Sequence, residues 1–167
     1  MTIDQLITND EDAAVEFKSS ARWDIRAGRR NPAIEDAIVK TVAAFLNTEG
    51  GTLLVGVGPD GTLVGLELDY AQIKPANADG FVNWLTTHLV NALGARAAMR
   101  TRARIVLHGG VDLCRLDVGR SAKPVWAKTS KEPRVFFVRM NNSSRELATG
   151  ELNAYLTDRW PDSLTMP

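Results

Sequence analysis

The sequence predicts an α+β domain in which a mixed, mostly antiparallel sheet carries two main helices and a C-terminal helix. Three observations predict it. Between Asn31 and Gly50, apolar residues recur at three- and four-residue steps, the signature of a helix with one buried face. From Thr52 to Val57 the chain is a short apolar, β-branched run bounded by glycines, which suits a strand covered on both sides. From Arg100 onward the period becomes two, as in a β-hairpin.

Each element can be justified in turn. Residues 2–8 carry a brief helical pattern. Ala13 to Lys18 alternates, with Val15 and Phe17 on one face and Glu16 and Lys18 on the other, as in a half-buried strand. Residues 19–31 are a polar, arginine-rich connection holding Trp23. In the central helix Ile34, Ile38, Val42 and Phe45 form the buried stripe, flanked by Ala37, Thr41 and Ala44. Asn31 suits its N-cap and Pro32 its first position, where the missing N–H costs nothing. Gly50 can take the left-handed conformation that stops a helix. Pro59-Asp60-Gly61 is turn chemistry, after which Thr62-Leu63-Val64 resumes a strand. Glu67 to Asn77 is a loop with one helical turn. Phe81, Leu85, Leu89 and Leu93 then mark a second helix over 79–93, ended by Gly94. The hairpin that follows turns at His108-Gly109-Gly110, and its return strand puts Cys114, Leu116 and Val118 on one face. Val125–Ala127 and Val135–Val138 supply two more strands, and Thr149 caps a last helix through Arg159.

The 167 residues suit one domain spanning 1–167, and a hydrophobic content of 44% is enough for a core. With 20 Lys plus Arg against 20 Asp plus Glu, net charge gives no long-range steering and argues against a nucleic-acid coat protein. Charge is nevertheless segregated. Asp4 to Glu16 is acidic, whereas Lys18 to Arg30 holds Lys18, Arg22, Arg26, Arg29 and Arg30 against Asp24 alone. One cysteine excludes an intrachain disulfide, and two separated histidines leave no zinc ligand set. No apolar run is long enough for a membrane and no signal-peptide pattern opens the chain, so a cytoplasmic location is expected.

Several patterns touch chemistry. Gly56-x-Gly58-x-x-Gly61 matches a dinucleotide fingerprint in letters, but a strand rather than a helix follows, so it reads as a β-turn. His88 reads as a core or rim histidine. Arg100, Arg102 and Arg104 form either a solvated strand face or a phosphate-tracking one. Glu11 and Glu16 are either two surface carboxylates or a pair holding Mg²⁺ or Mn²⁺ beside a basic loop.

Glu11-x-x-x-x-Glu16-Phe17-Lys18, then Ala44-Phe45-Leu46-Asn47-Thr48-Glu49-Gly50-Gly51-Thr52-Leu53-Leu54-Val55-Gly56-Val57, then Asp60-Gly61-x-x-x-Gly65, resembles the Schlafen AlbA-like domain. Phe137-Val138-Arg139 followed by Asn142-Ser143-Ser144 is similar to that family's closing strand and loop. The resemblance implies an α+β nucleic-acid-binding domain. In some members it implies a metal-dependent endoribonuclease acting on structured RNA such as tRNA, with two glutamates and an aspartate on the metal. Carried over, the glutamates are Glu11 and Glu16. The family's acidic positions after the strand are here Gly58 and Pro59, which leaves Asp60 as third ligand. Zinc, found in animal relatives, is not expected with one cysteine. Those relatives use two lobes, so a homodimer is expected here. The alternative is a non-catalytic DNA- or RNA-binding or transcription-regulatory module of the same fold.

Overall fold

Burial on both faces of one sheet organises the chain, which a computed structural model describes over residues 1–164. In chain order the elements are α1 (Ile3–Thr8), β1 (Val15–Lys18), β2 (Trp23–Asp24), β3 (Arg29–Arg30), α2 (Pro32–Asn47) and β4 (Gly51–Val55). There follow α3 (Glu67–Tyr70), α4 (Ala78–Leu93), α5 (Ala95–Ala98), β5 (Thr101–His108) and β6 (Val111–Val118). The chain closes with β7 (Phe137–Met140), β8 (Ser143–Glu146), α6 (Thr149–Arg159) and a 3₁₀ turn at Pro161–Leu164. The main sheet has the order β1-β4-β6-β5. β1 runs parallel to β4, with α2 as the crossover such a pair requires, and the other pairings are antiparallel. β2–β3 and β7–β8 are two-stranded ribbons. The mixed, mostly antiparallel sheet of the sequence reading is therefore observed. No helix among the described residues is long and apolar enough to cross a membrane.

Strand alternation divides the core. Leu53, Val55, Cys114, Leu116 and Val118 face α2 and α4, where Ile38, Val42, Phe45, Phe81, Leu85 and Leu89 are buried. On the other face α1 sets Ile3 and Leu6 against Val15, Phe17, Leu54 and Leu113. A third cluster joins Phe136 and Val138 to Trp160. Cys114 is fully buried on the face shared with α2 and α4; burial pushes its thiol up to about 12, which leaves it unreactive.

The local chemistry at the ends of α2 follows the sequence. Asn31 accepts from the Ala33 N–H, Pro32 opens the helix, and Gly50 has φ +80°. The second glycine is required for a different reason. A Cβ on Gly51 would lie 2.5 Å from the Phe45 ring and 2.8 Å from the Ala14 carbonyl oxygen, so the strand can pass under the helix only without a side chain.

Some elements differ from expectation. Thr62–Val64 is not a strand: Asp60 and Gly61 turn as predicted, but only one antiparallel bridge, Val57 to Leu63, forms before Gly65 bends the chain away. Val125–Ala127 and Val135 likewise meet in a single bridge, between Ala127 and Val135, and the strand proper begins at Phe137. Thr149 is the first residue of α6 rather than its cap, and the capping residue, Ala148, offers no side-chain acceptor.

The C-terminal third is fastened by Asn47, fully buried at the end of α2. Its amide donates to the carbonyls of Val125 and Phe137 at 2.9 Å each and accepts the Val125 N–H at 2.9 Å, while Tyr155 donates to its backbone carbonyl. Removing one partner strands buried polar groups, at about 1–3 kcal/mol each. Asn47→Leu is therefore expected to lower unfolding free energy by about 3 kcal/mol in urea titration, with a loss under ~1 kcal/mol contradicting the clamp.

Candidate nucleic-acid interface

β1 is an edge strand, and the outward groups of an edge strand need partners or protection. Glu11 supplies one: its Oε1 accepts the Phe17 N–H at 2.8 Å. Arg139 supplies another, its Nη2 donating to the carbonyls of Asp12 at 2.8 Å and Val15 at 3.1 Å. The same guanidinium lies over the Phe45 ring, 5.1 Å from its centroid. Glu16 points to the sheet face shared with α2, because its neighbours Val15 and Phe17 face α1. There its Oε1 is paired with Lys18 and its Oε2 lies 2.6 Å from Arg139 Nη2. That second contact is close but poorly aligned, and neither Glu16 Oε2 nor Arg139 Nε has a hydrogen-bond partner among the described residues. With Arg139 only 2% exposed, the pair is a buried one whose value depends on both members staying charged.

Sequence reasoning assigned Arg139 no role. The available signal was a lone arginine in the apolar run Phe136-Phe137-Val138-Arg139-Met140, a position that demands a partner.

The basic connection divides into fixed and free arginines. Arg22 is buried, donating from Nε to Glu35 Oε1 at 3.2 Å and from Nη1 to the Gln72 carbonyl at 2.8 Å, and it lies over the Trp84 ring. Arg30 grips the same carboxylate at 2.6 and 3.3 Å. Asp69, also buried, accepts the backbone N–H groups of Ala21, Arg22 and Trp23. Arg22 is thus structural rather than available to phosphate, and Arg30 is partly so. Arg26 and Arg29 are exposed on the β2–β3 ribbon, Arg29 standing across it from Asp24, whose carboxylate its charge reaches. Lys18 lines a concavity of about 340 Å³ beside Ser19, Ser20 and the first turn of α2. His88, as expected, is a rim residue, stacked on Trp84 with Nε2 3.1 Å from the Glu35 carbonyl.

The other predicted positions lie elsewhere. Arg102 and Arg104 project from β5, at the far edge of the sheet from β1, and Arg104 is paired with Asp117 at 3.1 Å. Arg100 precedes that strand. Asp60 is exposed at its turn, and the side chain and N–H of Thr62 hold its carboxyl below the ordinary range. Among the described residues no three His, Cys, Asp or Glu side chains are grouped to hold a metal ion. With Glu11 on a backbone N–H, Glu16 on two cations and Asp60 on Thr62, the arrangement does not fit the divalent cation that the resemblance implies.

A family profile described as Schlafen, AlbA_2 matches residues 11–148, from Glu11 through the β7–β8 ribbon. The chain belongs to the Schlafen AlbA_2 family. Among solved structures it is similar to the DIP2311 protein of Corynebacterium diphtheriae, at 20% identity and TM-score 0.61 over 95% of this chain and 31% of that one. It is also similar to the N-terminal domain of a RecG-related protein, named for an ATP-dependent DNA helicase, from Nitrosomonas europaea. That likeness has 22% identity and TM-score 0.53 over 89% of this chain and 95% of the domain. The chain thus spans about a third of the first relative's length and nearly all of the second's. A comparison with functionally curated proteins finds no match. At these identities the structural likenesses establish the AlbA-like fold.

Glu35 makes the pH dependence of this loop predictable. Burial opposes its charge, but hydrogen bonds from Arg30 and Arg22 outweigh it and hold the carboxyl below its ordinary value of 4.5. A depressed carboxyl contributes stability that is complete above the unfolded value and is lost as pH falls through the folded one. Wild type should therefore exceed Glu35→Gln by about 2 kcal/mol in urea titration at neutral pH, with the gap closing progressively below 4.5. A gap independent of pH would contradict the ion pairs.

Proposed function

We propose that this Schlafen AlbA_2 chain is a nucleic-acid-binding domain that holds phosphates with Lys18, Arg26 and Arg29, structured RNA such as tRNA being the favoured ligand and DNA the other candidate. The observation that carries the reading is the pair of exposed ribbon arginines next to the concavity lined by Lys18. A ribbon presenting cations beside a recess gives a phosphate backbone both charge and shape to follow. Family membership supports it, as does similarity to a domain of a helicase-related protein. Glu35 and Asp69 hold the base of the ribbon while its tip stays open to solvent, so the cations are presented on a fixed frame.

A second reading is the metal-dependent endoribonuclease with Glu11, Glu16 and Asp60 as ligands of Mg²⁺ or Mn²⁺. It is favoured by one feature, that both glutamates belong to the edge strand β1, Glu16 within it and Glu11 on the N–H of its Phe17. A two-fold dimer that pairs two such ribbons across a groove belongs to either reading, and light scattering reads it directly.

Fluorescence anisotropy with tRNA and with duplex DNA tests the proposal. Affinity should fall with salt at a log–log slope of about −0.7 to −0.9 per phosphate contact, and Arg26→Glu combined with Arg29→Glu should reduce that slope by roughly 1.5. Binding indifferent to salt between roughly 50 and 200 mM would sink the reading. In the same tRNA mixtures Mn²⁺ should produce no cleavage; Mn²⁺-dependent cleavage that Glu16→Ala abolishes would establish the second reading instead.

A further inference from the structure

Two adjoining concavities, of about 430 and 600 Å³, open where α5 leads into β5 and the 119–126 loop passes alongside. They share Arg96, Ser121 and Lys123; Arg134 completes one wall and Arg100 the other. No Asp or Glu lines either. None of these four cationic side chains forms an ion pair or hydrogen bond among the described residues, although the chain as a whole has as many acids as bases. Four unpaired cations around one groove repel one another, a cost that a polyanion relieves.

The groove also has a flat apolar contact. Trp126 is 40% exposed on its wall, held edge-on by Phe136 at 5.4 Å between ring centroids. The floor is fixed: the Ser121 carbonyl accepts from Trp160 Nε1 and Arg159 Nη2 at 3.2 Å each, and its N–H donates to the Leu46 carbonyl. Cations gathered beside an anchored, partly exposed indole match a ligand that carries both phosphates and aromatic bases. An acidic peptide would use the charges and leave the indole idle. Duplex nucleic acid keeps its bases stacked and could not offer a ring to Trp126.

We propose that this groove binds single-stranded nucleic acid, with Arg96, Arg100, Lys123 and Arg134 on successive phosphates and Trp126 stacked on a base. The proposal rests on the nucleic-acid-binding reading above, but it uses residues separate from the β1 edge and the β2–β3 ribbon.

The test titrates the full chain with a short labelled oligo-uridylate and with a blunt RNA duplex, comparing wild type, Lys123→Glu with Arg134→Glu, and Trp126→Ala, each checked for native circular dichroism. Charge reversal should weaken oligo-uridylate binding ~10-fold or more and lower its salt slope by about 1.4, two contacts' worth. Trp126→Ala should weaken it about 5-fold or more without changing the slope, because stacking is uncharged. Duplex affinity should move in neither variant. If wild type binds oligo-uridylate and both variants match it, the groove assignment is overturned while the nucleic-acid-binding reading stands. Polyglutamate that displaces oligo-uridylate on equal charge, with Trp126→Ala indistinguishable from wild type, would mark a general polyanion face and also overturn the assignment. A wild type that binds neither nucleic acid fails the parent reading and this one with it.

Discussion

The contact between Arg139 and Glu16 is the constraint on which the rest of the structure depends. A guanidinium almost wholly removed from solvent must find charge and acceptors, and here it finds both on β1 and the residues leading into it: the Glu16 carboxylate, then the Asp12 and Val15 carbonyls. Satisfying that one side chain brings β7, late in the chain, against β1, near its start. It also lays the guanidinium on Phe45, the ring that in turn forbids a side chain at Gly51. Sheet edge, crossover helix and closing ribbon are thereby locked to one another. Such a pair is costly to bury, and removing one member leaves the other as an uncompensated charge in the interior.

The same constraint bears on function. A carboxylate engaged with Lys18 and Arg139 is poorly placed to hold a divalent cation, and Glu11 serves the backbone of β1. The two glutamates that look like metal ligands in the sequence both perform structural work along one strand edge. The cations behave oppositely. Arg22 and Arg30 are tied down by Glu35, while Arg26 and Arg29 stay exposed on the ribbon, and Arg96, Lys123 and Arg134 around the groove have no ion pair among the described residues. A chain neutral overall thus presents exposed positive charge at two places.

Much of the fold was legible because its signals are local. The periodicity of Ile34, Ile38, Val42 and Phe45, the Asn31-Pro32 start and the alternation after Arg100 each depend on neighbours in sequence. The single bridges at Val57–Leu63 and Ala127–Val135 look like full strands in the sequence, since β-branched composition cannot report where a partner ends. The site was less legible. Nothing local says that Arg22 faces Glu35 rather than solvent, or that Arg139 reaches a strand more than a hundred residues earlier. Arg96, Lys123 and Arg134 are scattered through unremarkable stretches and converge only when α5 and the 119–126 loop meet.

The most direct test of the account is a double-mutant cycle between Glu16 and Arg139, using Glu16→Gln and Arg139→Met in chelator-treated protein, with urea unfolding as the readout. A structural pair predicts a coupling of about 2 kcal/mol, and a double variant less destabilised than the two single losses combined. Coupling under ~0.5 kcal/mol, together with a wild type that Mn²⁺ stabilises and a Glu16→Gln that it does not, would contradict the account and return Glu16 to a metal site.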